Sequence, residues 1–168
     1  MGAAIIKSLL SRGYSPEMIL VSDPDERRLS ELMELGVRTF TDNQEMVSKA
    51  EYILLAVKPQ AVDEVFKGLE FPAKALILSI VAGVSTKRLE EYLPGRRVIR
   101  AMPNTPGLIQ QGITAISPGA HTGEEELRWA KEILESLGEV VIVPEKLMDA
   151  VTALSGSGPG FVYTFIEA

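Results

Sequence analysis

The chain has 168 residues, 46% of them apolar, which suffices for one substantial core and predicts a single domain with at most a small appendage. Its 17 Lys and Arg against 23 Asp and Glu give a formal charge of −6, and an acidic surface repels nucleic acid and anionic lipid. The absence of cysteine excludes disulfides and a cysteine nucleophile, and one histidine excludes a histidine metal cage, so we predict no metal site.

The longest apolar run, 53–57, is far shorter than the roughly 20 residues that span a bilayer, so we expect no membrane helix. Lys7 interrupts the apolar start of the chain, and no small-residue cleavage site follows, which argues against a signal peptide. These features together predict a soluble, cytoplasmic protein whose chemistry comes from a cofactor.

The first half of the chain predicts alternating helices and strands. Residues 3–12 place apolar side chains on one side of a helix, and a strand at 18–22 follows. Asp23 suits the N-cap of the next helix, Pro24 its first position and Glu26 its capping box. Further on, the pattern predicts a strand at 37–40, a brief helix capped by Asp42 and Asn43, a strand at 51–57, and a helix whose buried stripe is Val62, Val65, Phe66 and Leu69.

The second half continues the alternation up to Pro144. It predicts strands at 75–81, 97–101, 112–117 and 139–143, a helix at 86–93, and a helix that opens with a Thr122–Glu125 capping box and ends at Gly138. From Glu145 the pattern changes to a helix, a Gly/Ser-rich break at 155–160 and a new apolar stretch. Strands that are apolar on both faces and alternate with helices predict an α/β fold with a doubly wound, mostly parallel sheet.

The two ends of the chain depart from this pattern. Dinucleotide-binding sheets begin with a strand, a glycine-rich turn and a helix, whereas this chain begins at the helix. In the 3-2-1-4-5-6 strand order the first strand is central, so we expect unpaired edges on both of its neighbours. A buried strand contributes on the order of 10 kcal/mol. We therefore expect a fragment at both ends, or another segment in the gap, and weak dinucleotide binding.

Small and polar residues follow the predicted strands, at the ends where open α/β sheets bind ligands. Met1 and Gly2 are either the end of a glycine-rich turn or an initiator methionine with a small neighbour. Asp23 suits a hydrogen bond from an adenosine ribose and equally a helix cap. Ser22 with the arginines at 27 and 28 suits a 2′-phosphate, so NAD and NADP both stay open.

Three later segments also follow strands. Lys58, in 56–60, is either a phosphate or ribose contact or an ordinary charged cap. Small residues at 82–84 let a flat ring approach the backbone, and two prolines make a rigid loop of 100–106. The glycine cluster at 156–160 fails as a dinucleotide fingerprint because Pro159 lacks an amide donor, and it is either an anion-binding loop or a plain turn.

Four blocks in the right order and at similar spacings resemble the pyrroline-5-carboxylate reductase family: LLAVKPQ at 54–60, SIVAGVS at 79–85, RAMPNTP at 100–106 and TALSGSGPGFVY at 152–163. The resemblance implies a Rossmann-type domain at 1–144 that binds NADP or NAD. It also implies the beginning of a helical domain at 145–168, which dimerises and completes the substrate site. The implied reaction is NAD(P)H-dependent reduction of 1-pyrroline-5-carboxylate to L-proline, the last step of proline biosynthesis, by a homodimer or higher homo-oligomer.

The candidate site residues come from their positions after predicted strands and from the family resemblance. The cofactor contacts are Met1, Gly2, Ser22, Asp23, Asn43, Ala56, Val57, Lys58, Pro59, Ala82, Gly83, Met102, Pro103 and Asn104. The substrate contacts that the resemblance implies are Ser155, Gly156, Ser157, Gly158 and Pro159. Gly160 departs from the family's usual alanine, and no residue matches a catalytic acid. Two alternatives stay open: a related Rossmann-fold dehydrogenase or imine reductase with another substrate, and a non-enzymatic dinucleotide-binding module.

Overall fold

The computed structural model describes residues 1–168, in which helices and strands alternate as far as Ile142 and only helices follow. The strands are β1 (Leu20–Ser22), β2 (Arg38–Phe40), β3 (Tyr52–Leu55), β4 (Leu76–Ser79), β5 (Arg97–Met102), β6 (Gly112–Pro118) and β7 (Gly138–Ile142). The helices are α1 (Gly2–Ser11), α2 (Glu26–Met33), α3 (Asn43–Val47), α4 (Val62–Phe66), α5 (Thr86–Tyr92), α6 (Glu124–Leu134), α7 (Met148–Val151) and α8 (Gly158–Glu167). None of these helices has the length and apolar character needed to cross a membrane.

The strands form two hydrogen-bonded sheets. β1 pairs with β2 in parallel, and β3 to β7 form a five-stranded sheet in chain order, in which only the β5–β6 pair is antiparallel. The prediction of a mostly parallel α/β sheet is therefore confirmed. No strand pairing joins the two sheets, so β1 and β3 each have one unpaired edge, as the 3-2-1-4-5-6 order predicts.

Helices cover both faces of the five-stranded sheet. The central residues of β4, Leu76 to Leu78, have no exposed surface, because successive side chains point to opposite covered faces. On one face α3, α4 and α5 bring Val47, Val62, Phe66 and Leu89 against Ile53, Leu55, Ile77 and Val98. On the other face α1 and α6 bring Ile5, Leu9, Ala130 and Leu134 against Leu76, Leu78, Ile99 and Ala101.

The predicted cap of α2 is wrong by two residues. The Asp23 carboxylate accepts a hydrogen bond from the Asp25 N–H at 2.9 Å, which closes a turn before the helix. Asp25 is the N-cap, and its carboxylate accepts from the Arg27 N–H at 3.0 Å. The helix therefore begins at Glu26 and not at Pro24.

The predicted capping box of α6 is wrong by one residue. The N-cap is Gly123, whose N–H donates to the Glu126 carboxylate at 2.9 Å. The Thr122 hydroxyl donates instead to the Val98 carbonyl at 2.7 Å, across to β5. Because its side chain is hydrogen-bonded to β5, Thr122 does not cap the helix, and Glu125 takes no part in a capping box.

The predicted break at 155–160 is also wrong, because this stretch is helical. A π-helical turn over Thr152–Gly156 continues α7, and α8 begins at Gly158. Pro159 lies in the first turn of α8, where a missing N–H costs no intrahelical hydrogen bond. The segment 145–167 is thus helical except for a turn residue at Ser157, with short 3-10 and π turns between its α-helices.

Candidate functional site

Three of the predicted site segments leave the sheet at the carboxyl ends of its parallel strands, which together form the carboxyl edge. β3, β4 and β5 are parallel neighbours, and their register aligns Leu55 with Ser79 and Ser79 with Arg100. The last residue of β5, Met102, and the residues that follow these strands, 56–59, 82–83 and 103–104, therefore lie at the carboxyl edge of the sheet. Since ligands of open α/β sheets bind at this edge, the arrangement agrees with a cofactor site.

The N-terminus of α1 meets the same edge. Met1 is the N-cap, and Gly2 begins the helix so close to the loop after β3 that an added Cβ would stand 3.2 Å from the Ala56 Cβ. The first amides of a helix have no intrahelical acceptor and carry a partial positive charge. A ten-residue helix whose N-terminus lies at this edge is therefore suited to bind a phosphate group.

The loop after β4 exposes its backbone. Gly83 has φ +74°, a conformation that other residues rarely adopt, and no atom lies within 4 Å of the position where a Cβ would stand. Ala82 is partly buried beside it. The Ser85 hydroxyl then caps α5 by accepting from the Arg88 N–H at 3.2 Å. This loop therefore leaves room for a flat group against its main chain.

The loop after β5 contacts the helical segment directly. The Asn104 Oδ1 accepts a hydrogen bond from the Ile113 N–H at 3.0 Å, and its Nδ2 donates to the Ser155 Oγ at 3.3 Å. Gly156 packs against Met102, so that an added Cβ would stand 2.5 Å from the Met102 Cε. The predicted cofactor loop and the predicted substrate segment thus touch, although 51 residues separate Asn104 from Ser155.

The remaining substrate candidates lie within the helical segment. The Ser157 hydroxyl donates to the Thr152 carbonyl at 3.2 Å, and its N–H donates to the same carbonyl at 2.9 Å. Gly158 and Pro159 form the first turn of α8. Only Ser155 and Gly156 of this group make the contacts to the loop after β5 described above.

Three predicted cofactor residues lie beside the two-stranded sheet. The Ser22 hydroxyl, at the end of β1, is buried without a hydrogen-bond partner. Asp23 forms an ion pair with Arg28 at 3.5 Å, and Asn43 begins α3, which Asp42 caps. No hydrogen bond joins these residues to the loops after β3, β4 and β5.

The ion pairs of a buried arginine were not predicted from the sequence. Arg100 lies on β5 and is 3% exposed, yet its guanidinium pairs with Glu145 at 2.8 Å and with Asp149 at 3.0 Å. The same Glu145 oxygen accepts from the Thr86 N–H at 3.3 Å. A charged residue between the apolar residues Ile99 and Ala101 of β5 was the available signal.

Titratable groups with a shifted pKa occur away from this edge. A hydrogen bond from the Tyr92 hydroxyl lowers the pKa of Asp63 and raises the pKa of Tyr92 itself, on the exposed surface between α4 and α5. A hydrogen bond from the Arg97 guanidinium lowers the pKa of Glu126 at the start of α6. The edge itself offers mainly backbone amides, amide and hydroxyl side chains and small residues, which suit binding and orientation.

A sheet with helices on both faces, small residues after adjacent parallel strands and a helix N-terminus at the same edge define a Rossmann-type α/β fold. A family model described as "NADP oxidoreductase coenzyme F420-dependent" matches residues 1–83, and one described as "Pyrroline-5-carboxylate reductase dimerisation" matches 145–168. The pyrroline-5-carboxylate reductase of Synechocystis sp. is 44% identical over 171 residues, an alignment that covers 100% of this chain and 64% of that protein. Over its whole length the chain is similar to pyrroline-5-carboxylate reductases.

Solved structures show the same similarity. The pyrroline-5-carboxylate reductase of Coxiella burnetii superposes with a TM-score of 0.91 at 31% identity, covering 99% of this chain and 64% of that one. The Plasmodium falciparum pyrroline carboxylate reductase, solved with NADP bound, gives 0.89 at 26% identity, covering 99% and 63%. The chain spans about 64% of the length of the curated relatives it matches.

Proposed function

We propose that this chain serves the NAD(P)H-dependent reduction of 1-pyrroline-5-carboxylate to L-proline. The 3.3 Å hydrogen bond between Asn104 and Ser155 carries the proposal. It supports a site in which the nicotinamide, beside the loop after β5, faces an imine substrate held by the helical segment. The names of the similar proteins support the same reaction.

The residues at the carboxyl edge fit a dinucleotide. The N-terminus of α1 with Gly2 suits the pyrophosphate, and the open main chain of Gly83 suits the nicotinamide ring. The buried Ser22 hydroxyl without a partner suits a hydrogen bond to the adenosine ribose or its phosphate. Asp23 and Arg28, which favour different ribose groups, pair with each other, so the cofactor stays NADP or NAD.

We propose roles of this kind for the remaining cofactor candidates. Asn43 and residues 56–59 contact the part of the cofactor between the ribose and the pyrophosphate, and residues 102–104 contact the nicotinamide. When bound, the reduced nicotinamide supplies a hydride to the imine carbon. The rigid, proline-flanked loop and the Ile113 N–H that holds Asn104 fix the geometry on the protein side.

Ser155 is suited to bind the substrate carboxylate. Its oxygen accepts the Asn104 hydrogen bond, so its own hydroxyl proton is left for another acceptor. No acid that titrates near neutral pH occurs at 102–104 or 155–159. We therefore propose that the substrate enters as the protonated imine and that hydride addition alone gives the amine of proline.

We propose a division at 144/145 between the dinucleotide-binding domain and a helical domain that associates with a second copy. On α8 the side chains of Phe161, Phe165 and Ile166 are 74%, 84% and 73% exposed. An apolar surface of this kind favours a protein partner, and the dimerisation model that matches 145–168 supports another copy of this chain. The cytoplasmic location stays a prediction.

The test is NADPH and NADH oxidation with 1-pyrroline-5-carboxylate. It is run on the 168-residue chain and on the same chain together with any coding sequence that flanks it in the gene. Turnover in either form supports the proposal, and no turnover in both rejects it. Turnover only with a β-hydroxy acid or another imine favours a different substrate, and tight cofactor binding without any turnover favours a non-enzymatic module.

Two serine variants make the test specific to the site. Ser155→Ala removes the proposed carboxylate donor and is expected to raise the KM for the imine about tenfold, with a smaller effect on the KM for NADPH. Ser157→Ala is the matched control, because the Ser157 hydroxyl already donates to the Thr152 carbonyl. Equal effects of the two variants would remove Ser155 from the proposed substrate contacts.

A further inference from the structure

Arg100 is a buried cation on the strand that leads to the candidate site. Its side chain is 4% exposed, and its neighbours on β5, Ile99 and Ala101, are buried as well. A guanidinium at such a position requires paired charges. Both carboxylates that pair with it, Glu145 and Asp149, come from the beginning of the helical segment and not from the sheet.

Glu145 extends this network to the loop after β4. Its Oε1 accepts the Arg100 Nη1 hydrogen bond at 2.8 Å and the Thr86 N–H at 3.3 Å. Thr86 begins α5, three residues after Gly83. One carboxylate oxygen therefore connects β5, the loop after β4 and the helical segment.

The network also lies close in sequence to Ser155. Met148, between the two paired carboxylates, has no exposed surface, and its carbonyl accepts from the Thr152 hydroxyl at 2.8 Å. Less than one helical turn separates Thr152 from Ser155. A shift of the segment that begins at Glu145 is therefore transmitted to the Asn104–Ser155 hydrogen bond.

We propose that Arg100 is a positioning residue that holds the segment 145–157 against the loops after β4 and β5. Its planar fork reaches two carboxylates at once, which the single ammonium of a lysine does not reproduce. Arg100 contacts none of the proposed ligands and acts through Glu145. The effect on catalysis rests on the proposed function, whereas the effect on the position of 145–157 does not.

The positional part is tested by hydrogen exchange with mass spectrometry on the 168-residue chain. Glu145→Gln removes the charge with almost no change of shape, and Arg100→Met removes the cation. Both are expected to speed amide exchange in 145–157 about tenfold or more, while β3 and β4 change less than about twofold. Arg100→Lys is expected to restore part of the protection, since it keeps the charge.

Arg97→Met is the matched control. Arg97 lies on the same strand and pairs with Glu126 at the same 2.8 Å, but Glu126 belongs to α6. Its loss is expected to speed exchange at α6 and not in 145–157. Unchanged protection of 145–157 in Glu145→Gln, or equal acceleration throughout the sheet, overturns the proposal, because it shows no role or only a general structural one.

The catalytic part uses whichever form of the protein turns over 1-pyrroline-5-carboxylate. Glu145→Gln is expected to lower kcat about ten- to hundredfold, because a small displacement of oriented groups costs that much, with the KM for NADPH changed less than about twofold. A change confined to the KM for NADPH overturns this part. If the unaltered protein shows no turnover, the proposed function fails, and the exchange experiment still decides the position of the segment.

Discussion

Gly138 occupies the most constrained glycine position of the sheet and offers a graded test of the packing beside the candidate site. It has φ +135°, and an added Cβ would overlap the Gly112 carbonyl oxygen and stand 2.7 Å from the Gly112 nitrogen. Backbone strain of this kind costs about 1–3 kcal/mol. Forced overpacking adds about 1–3 kcal/mol more. We therefore expect Gly138→Ala to lower the free energy of unfolding by about 2–6 kcal/mol, a large share of a typical domain's stability.

Two other glycines separate the strain from the clash. Gly13 has φ +89° and open space around the missing Cβ, so Gly13→Ala measures backbone strain alone and is expected to cost about 1–2 kcal/mol. Gly160 has neither a positive φ nor a close neighbour and lies in α8, so Gly160→Ala is expected to raise the free energy of unfolding by about 0.5–1 kcal/mol. The assay is urea unfolding followed by circular dichroism. A Gly138→Ala loss no larger than that of Gly13→Ala would refute the rigid contact between β6 and β7.

Three further predictions concern the loop after β5, an ion pair and the core. Asn104→Ala leaves the Ile113 N–H without its acceptor and is expected to cost about 1–3 kcal/mol in urea unfolding. Asn104→Asp keeps the acceptor and should cost clearly less, and equal losses would contradict this role. The Arg97 guanidinium lowers the pKa of Glu126, so their pairing stabilises the fold above about pH 4.5 and is lost as the pH falls through the lowered pKa. Glu126→Gln should therefore flatten the decline of stability with acid, measured by urea unfolding at a series of pH values, and an unchanged slope would contradict it. Leu134 has no exposed surface, so Leu134→Ala is expected to lower the free energy of unfolding by about 2–5 kcal/mol and to lower the Tm accordingly. A loss of less than about 1 kcal/mol would indicate a loosely packed core.

The sheet was predictable because burial on both faces leaves a direct trace in the sequence. The run 75–81 is apolar without alternation, and β4 indeed has helices on both of its faces. The caps of α2 and α6 were not predictable to the residue, because neighbouring polar side chains compete for the same amides, whereas Asp42 caps α3 as predicted. Asp23 and Asp25 both suit a cap, and only the folded backbone decides that Asp25 bonds the helix.

The site was predictable in part. The rule that ligands bind at the carboxyl ends of strands brought Lys58, Gly83 and Asn104 to one edge of the sheet. The family resemblance implied a cofactor contact for Asn104 and a substrate contact for Ser155, but their hydrogen bond was not predicted, since no local pattern relates positions so far apart. The pairing of Arg100 was missed for the same reason. A charged residue in an apolar strand indicates that an opposite charge lies nearby, but the sequence does not indicate which of the 23 acidic residues supplies it.

The unpaired edges of β1 and β3 also bear on how this chain behaves in concentrated solution. Each edge presents backbone donors and acceptors that can nucleate sheet growth between molecules. The net charge of −6 opposes such encounters at low ionic strength, and added salt screens that repulsion. Turbidity should therefore begin at lower protein concentration as salt is added, with the growing aggregates enriched in β-structure.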